Sequence, residues 1–172
     1  MVDPSGKGFA SRIQALYAVA YTIKFSCKAN GEDFVVPKLE ALWHFDKSKY
    51  GNVSMENAPK KIPRSEWAYR LLIRMPNLVS KSQFFEAIEA VKNKKQVHYI
   101  DEIEFITLEE GNCVQMLHTG SFETEPISLA KIKDFMDNKG HIKNGHHYEI
   151  YLSDIRKVAP EKLRTILREP FK

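Results

Sequence analysis

The reading of the fold turns on HHYEIYLSD, residues 146–154. Taken with period two, it sets Tyr148, Ile150 and Leu152 on one face and His147, Glu149, Tyr151 and Ser153 on the other. The first face is what a strand packs against a helix. The second holds a carboxylate between an imidazole and a phenol, mid-strand, and asks whether that face is simply wet or lines a pocket.

Working outward, LRTILRE (163–169) alternates Leu163, Thr165 and Leu167 with Arg164, Ile166 and Arg168, a second strand after a short helical turn at 159–162. Upstream, residues 125–138 read as a helix with Leu129, Ile132, Phe135 and Met136 inward and Gly140 past its end. Two strands, 99–108 and 112–119, are expected as a hairpin turning at Glu110-Gly111. Ser80 and Gln83 form a capping box for a helix running to about Lys94, with Phe84, Ile88 and Val91 on its core face. WAYRLLIRM (67–75) is a strand with Trp67, Tyr69, Leu71, Ile73 and Met75 together on one side. FVVPKLEALWHF (34–45) is another, with Pro37 marking a bulge or edge. Trp43 shares a face there with Leu39, Ala41 and Phe45. Residues 46–65, polar and broken by Gly51, Pro59 and Pro63, read as a functional loop or lid. At the start, residues 1–8 form a loose tail, and Phe9, Ile13, Leu16, Tyr17, Ala20 and Cys27 recur at helical spacing over 9–28, ended by Asn30-Gly31.

The element order predicts an α+β fold in one domain, 9–172, made of two matching halves, about 34–108 and 112–172, behind an N-terminal helix. Such halves form antiparallel sheet with helices on one face and leave the other free to curve around a ligand.

Bulk composition narrows the classes. The chain has 172 residues, 43% hydrophobic and 28% charged, with a net charge of +4 and no long run of one sign, so no nucleic-acid stripe is expected. Cys27 and Cys113 lack CxxC spacing, and two reduced thiols in a cytoplasmic protein are expected. FASRIQALYAVAYTIKFSC (9–27) is interrupted by Arg12, Gln14 and Lys24 and reads as neither membrane span nor signal peptide. His146 and His147 are adjacent and cannot ligate one metal from a strand face, so no metal and no cofactor is expected. Ser121 and Ser153 sit in no nucleophile elbow. His118, before the Gly120 turn, reads first as a structural hydrogen-bonding residue.

If Ile150 and Leu152 take the helix side, Glu149 and Tyr151 face the open side with Trp43, Phe45, Trp67 and Tyr69. Burial among aromatic rings raises a carboxylate's pKa unless a cation compensates. A carboxylate so raised serves as general base or acid near neutral pH, or as counter-charge to a cation held over the rings. The plainer alternative is a salt bridge from Glu149 to Arg70 or Arg164 on a partly wet sheet.

PKLEALW (37–43), EWAYRLLIRMP (66–76), EEGNCVQMLHTGSFETEP (109–126), HHYEIYLSD and PEKLRTILREPF (160–171), in that order, resemble the stand-alone GyrI-like small-molecule-binding family. The likeness runs from about Phe9 to the C-terminus, and departs where Ser121-Phe122 replaces a common Pro-Tyr, Ala41 a usual Gly and Ile155 a frequent Pro. It implies a duplicated strand-helix-strand-strand fold of SHS2 type, a pocket between the repeats, and a pocket-facing glutamate that falls on Glu149. Relatives sense drugs in transcription regulators, modulate gyrase or bind xenobiotics, and one subfamily hydrolyses the cyclopropane ring of cyclopropanoid DNA-alkylating compounds in an aromatic cage. With no DNA-binding domain ahead of the fold, a regulator is not expected.

The resemblance makes Glu149 and Tyr151 the expected catalytic residues and Trp43, Phe45, Trp67, Tyr69, His118 and His147 the expected ligand-binding ones. The expected partner is a small planar aromatic or cationic xenobiotic, with no nucleic acid or membrane. Tyr151, His147 or His118 would donate to the oxyanion. A module that sequesters such ligands without converting them, and a protein that acts by docking on a macromolecule, stay open as alternatives.

Overall fold

The computed structural model describes residues 7–94 and 96–172; the tail expected over residues 1–6 lies outside them. In chain order the elements are helix α1 (Lys7–Ala29), strand β1 (Leu39–Phe45), helices α2 (Lys47–Tyr50) and α3 (Ala58–Lys61), strand β2 (Trp67–Ile73), helix α4 (Lys81–Lys94), strand β3 (Asn112–Thr119), helix α5 (Glu125–Asn138), and strands β4 (His147–Tyr151) and β5 (Arg164–Phe171). The architecture is α+β, as the sequence predicts, with a five-stranded sheet in the order β2-β1-β4-β5-β3. The pairs β1–β4, β4–β5 and β3–β5 run antiparallel.

The chain packs into two compact units, one of residues 40–70 and 109–172, the other of residues 7–39 and 71–108. In the second, α1 turns Val19, Ile23 and Cys27, at i, i+4 spacing, into a core with Phe84, Ala87, Ile88 and Val91 of α4 and with Ile100. The capping box forms as read: the Ser80 amide donates to the Gln83 side chain (2.7 Å) and the Gln83 amide to the Ser80 hydroxyl (3.3 Å). Cys27 in this unit and Cys113 in the other are both free thiols.

Residues 99–108 depart from the expected strand. Tyr99 takes a left-handed backbone (φ 65°), residues Ile100–Glu102 make a single 3-10 turn, and residues 103–111 form no ladder. The alternation there is real, because Ile103 and Phe105 pack on the core. Period-two burial needs only one apolar neighbour, however, and a strand needs a backbone partner as well. β3 pairs instead with β5, so no hairpin turns at Glu110-Gly111. Residues 34–38 are likewise outside the ladder, which β1 enters at Leu39 after Pro37, a residue with no amide hydrogen to donate.

In the first unit, α5 lies on the sheet through Leu129, Ile132 and Met136, which join Phe45, Trp67 and Leu167 in one core. Burying each such side chain contributes about 1.5–3 kcal/mol. Phe135, expected inward, is 47% exposed beside His141. Residues 46–65 are a packed cover: α2, α3 and the turn Arg64–Glu66 are pinned by Met55, Ala58 and Ile62 in the same core.

The ladder register places Ala41 and Trp43, His147, Glu149 and Tyr151, Thr165, Leu167 and Glu169, and Val114, Met116 and His118 on one face. That is the face α5 covers. The expectation that Ile150 and Leu152 take the helix side, with Glu149 on an open face, is therefore inverted in this unit. Tyr148 looks the other way, donating its hydroxyl to Glu40, with the Arg168 guanidinium 5.2 Å from its ring centre and paired with Glu110.

Candidate functional site

Part of the face that α5 covers is polar. His118, Thr165, His147, Glu149 and Glu169 of the sheet are all buried, and so are Glu125 and Ser128 of the helix. Buried polar groups at this density need partners, and most have them.

His147, 2% exposed, stands between two carboxylates: Nε2 lies 3.2 Å from Glu149 and Nδ1 2.8 Å from Glu169. With an acceptor at each nitrogen, the ring carries both protons and is an imidazolium. Burial alone would lower its pKa, but the hydrogen bonds it donates to Glu149 and Glu169 overcome that and push it up to about 9. Glu169 is bridged on its other side by Lys143. Its own burial is outweighed by His147 and Lys143, so its carboxyl is held below the usual range.

Glu149 is 8% exposed, and its partners are His147 and the Tyr151 hydroxyl rather than Arg70 or Arg164. Tyr151 accepts the Trp43 indole N–H at 3.0 Å and donates to Glu149. Burial, then the neighbouring carboxylate, raises the phenol well above its ordinary pKa, so it stays a donor. A continuous chain results: Trp43, Tyr151, Glu149, His147, Glu169, Lys143.

The expected aromatic residues do come together. Trp43 meets Trp67 edge-on at 6.3 Å between ring centres and Tyr69 at 5.6 Å; Phe45 meets Trp67 at 5.7 Å, and Phe122 meets Tyr151 at 6.1 Å. Trp67 is mostly core, its indole N–H donating to the Ile62 carbonyl at 3.3 Å, while Trp43 is half-buried. His118 is held by the turn that follows it: Nε2 faces the Ser121 carbonyl (3.1 Å) and Nδ1 the Ser128 hydroxyl (2.9 Å). Any other residue at Gly120 is strained, because its φ is +142° and a Cβ would lie 2.7 Å from Thr124 Oγ1.

Two carboxyls escaped the sequence reading. Glu169 extends the Leu163, Thr165, Leu167 series on β5, and a charge on an otherwise apolar face was its signal. Glu125, ahead of Pro126, resembles an ordinary acidic first-turn residue and had none. It is 8% exposed, and its Oε1 has no hydrogen-bond partner. Burial and repulsion by Glu149 push the Glu125 carboxyl up to about 9 against the pull of His147. Among the described residues no group of three or more His, Cys, Asp or Glu is set to hold a metal, and no helix is long and apolar enough to cross a membrane.

Residues 74–171 match the GyrI-like small molecule binding domain. The chain belongs to this family. Among solved structures, this GyrI-like chain is 37% identical to an uncharacterized conserved protein from Listeria innocua, with a TM-score of 0.85 over 99% of this chain and 83% of the other. Two Listeria innocua proteins described as hydrolases are 35% and 36% identical, with TM-scores of 0.80 and 0.82, each over 99% of this chain and 82% of theirs. Among curated proteins nothing matches. The family and the fold anticipated from the motifs are thus those of the molecule, and its ligand is a small molecule.

Proposed function

We propose that this GyrI-like protein is a detoxifying hydrolase that opens the cyclopropane ring of cyclopropanoid DNA-alkylating compounds with water. The observation that supports it best is Glu149 itself, oriented by two donors from His147 and Tyr151 on the strand that also bonds Trp43 of the aromatic group. Two relatives described as hydrolases fit the same reading.

A flat polycyclic substrate stacks on Trp43 and Tyr69, each aromatic contact adding about 0.5–1.5 kcal/mol beyond burial. Glu149 accepts a proton from water as the water oxygen bonds to the ring methylene. The strained carbon–carbon bond breaks, and its electron pair passes through the conjugated ring to the carbonyl oxygen. Fixed donors around Glu149 keep it in one orientation, which is how a general base yields about 10²–10⁴-fold in rate.

The test is a single-turnover incubation with a cyclopropanoid pyrroloindole alkylator, read by mass. A gain of one water, lost in Glu149→Gln while fluorescence-detected binding persists, is the expected result. Unchanged mass with quenched tryptophan fluorescence refutes hydrolysis and leaves a sequestering module.

A further inference from the structure

We propose that Glu125 is the proton donor of this site, working against Glu149 as proton acceptor. The inference rests on the hydrolase reading and deepens it.

Ring opening leaves a negative oxygen that needs a proton, and the three donors expected from the sequence are committed elsewhere. Tyr151 gives its hydrogen to Glu149, His147 spends both nitrogens on Glu149 and Glu169, and His118 spends both on Ser121 and Ser128. Glu125 remains, a buried carboxyl at the first position of α5 with an unpartnered oxygen. Charge balance fixes its form. Glu169 and Glu149 are already matched by His147 and Lys143, so an ionised Glu125 would add an unmatched buried anion, which costs far more than carrying a proton.

Two neighbouring carboxyls in unlike surroundings are the usual basis of acid and base assignments. Glu149 has an imidazolium and a phenol as donors; Glu125 has neither. In the reaction, water loses a proton to Glu149 and its oxygen bonds the methylene carbon. The broken bond's electron pair ends on the carbonyl oxygen, which takes the Glu125 proton and becomes a phenol. Passing the Glu149 proton to Glu125 restores both groups, with one water added. The titratable groups around Glu125 are Glu149, His147 and Tyr151 of β4, with Glu169 of β5 and Lys143 reached through His147. On β3, His118 is tied to Ser128 one turn along α5.

The experiment compares wild type, Glu125→Gln and Glu125→Asp in single turnover across pH, with tryptophan quenching for affinity and infrared spectra for the protonated carboxyl. Expected are a loss of about 10²-fold or more in Glu125→Gln at little-changed affinity, and partial rescue by Asp. Wild-type activity falls as pH rises through about 9, a window in which His147 also loses its proton, so the deciding sign is the acid carbonyl band at neutral pH, which disappears with the Gln substitution. Glu125→Gln turning over at the wild-type rate, or a spectrum with no band to lose, overturns the donor role alone. A wild type that binds without turnover overturns the donor role and the hydrolase reading together.

Discussion

Replacing His147 by Gln tests the electrostatic frame of the site. The substitution removes a buried cation from between Glu149 and Glu169, which are 8% and 5% exposed. Breaking a buried ion pair by deleting one partner costs about 3–5 kcal/mol, a large share of the ~5–15 kcal/mol by which a domain is stable. With a urea slope of ~2 kcal/mol per molar, the unfolding midpoint falls by ~1.5–2.5 M at pH 6.5. The pH dependence is as informative as the size. The folded-state pKa of His147, about 9, lies above the ordinary value near ~6.5 of the unfolded chain. Its stabilisation is therefore complete below that ordinary value and is lost as pH rises through about 9. Glu125 titrates in the same window in the wild type, and in the variant it loses the pull of His147, so its own titration moves further up there. The assay is urea unfolding by tryptophan fluorescence at several pH values, with the slope checked for constancy. A gap below ~1 kcal/mol at pH 6.5, or one unchanged at pH 10, would refute the imidazolium assignment.

Tyr151→Phe strips Glu149 of one donor and removes the oxygen to which the Trp43 indole N–H donates, so it costs about 1–3 kcal/mol in urea unfolding. It also slows turnover more than it weakens binding, since it disorients the base without removing a ring; equal losses would argue against that role. Gly120→Ala places a methyl 2.7 Å from Thr124 Oγ1 at a φ of +142°, and thermal unfolding should show a loss of about 1–3 kcal/mol. Ser80→Ala removes the acceptor for the Gln83 amide and costs about 0.5–2 kcal/mol, with helical loss confined by hydrogen exchange to the start of α4.

Local signals carried well from sequence to structure. The capping box at Ser80 and Gln83, the helix over 125–138 and the alternation in HHYEIYLSD all appear where the residues put them, because caps, periodicity and chain-breakers act over a single turn or strand. The order of five motifs was enough to point to the family. Which residues share a face of β4 was equally legible, since pleating alone dictates it.

What period two cannot say is which of the two faces a helix will cover. On β4 the apolar set Tyr148, Ile150 and Leu152 looked like the packing side. Yet α5 settles over His147, Glu149 and Tyr151, because these strands bring Leu167, Met116 and Val114 to that same side and the helix needs that combined surface. A strand over 99–108 failed for a related reason: its one-sided burial is encoded locally, but a ladder partner is not. Glu125 and Glu169 became visible only through the fold. A carboxyl's burial and its charged neighbours come from segments far apart in the chain, and those decide whether it is a solvated charge, half of an ion pair, or an acid that keeps its proton.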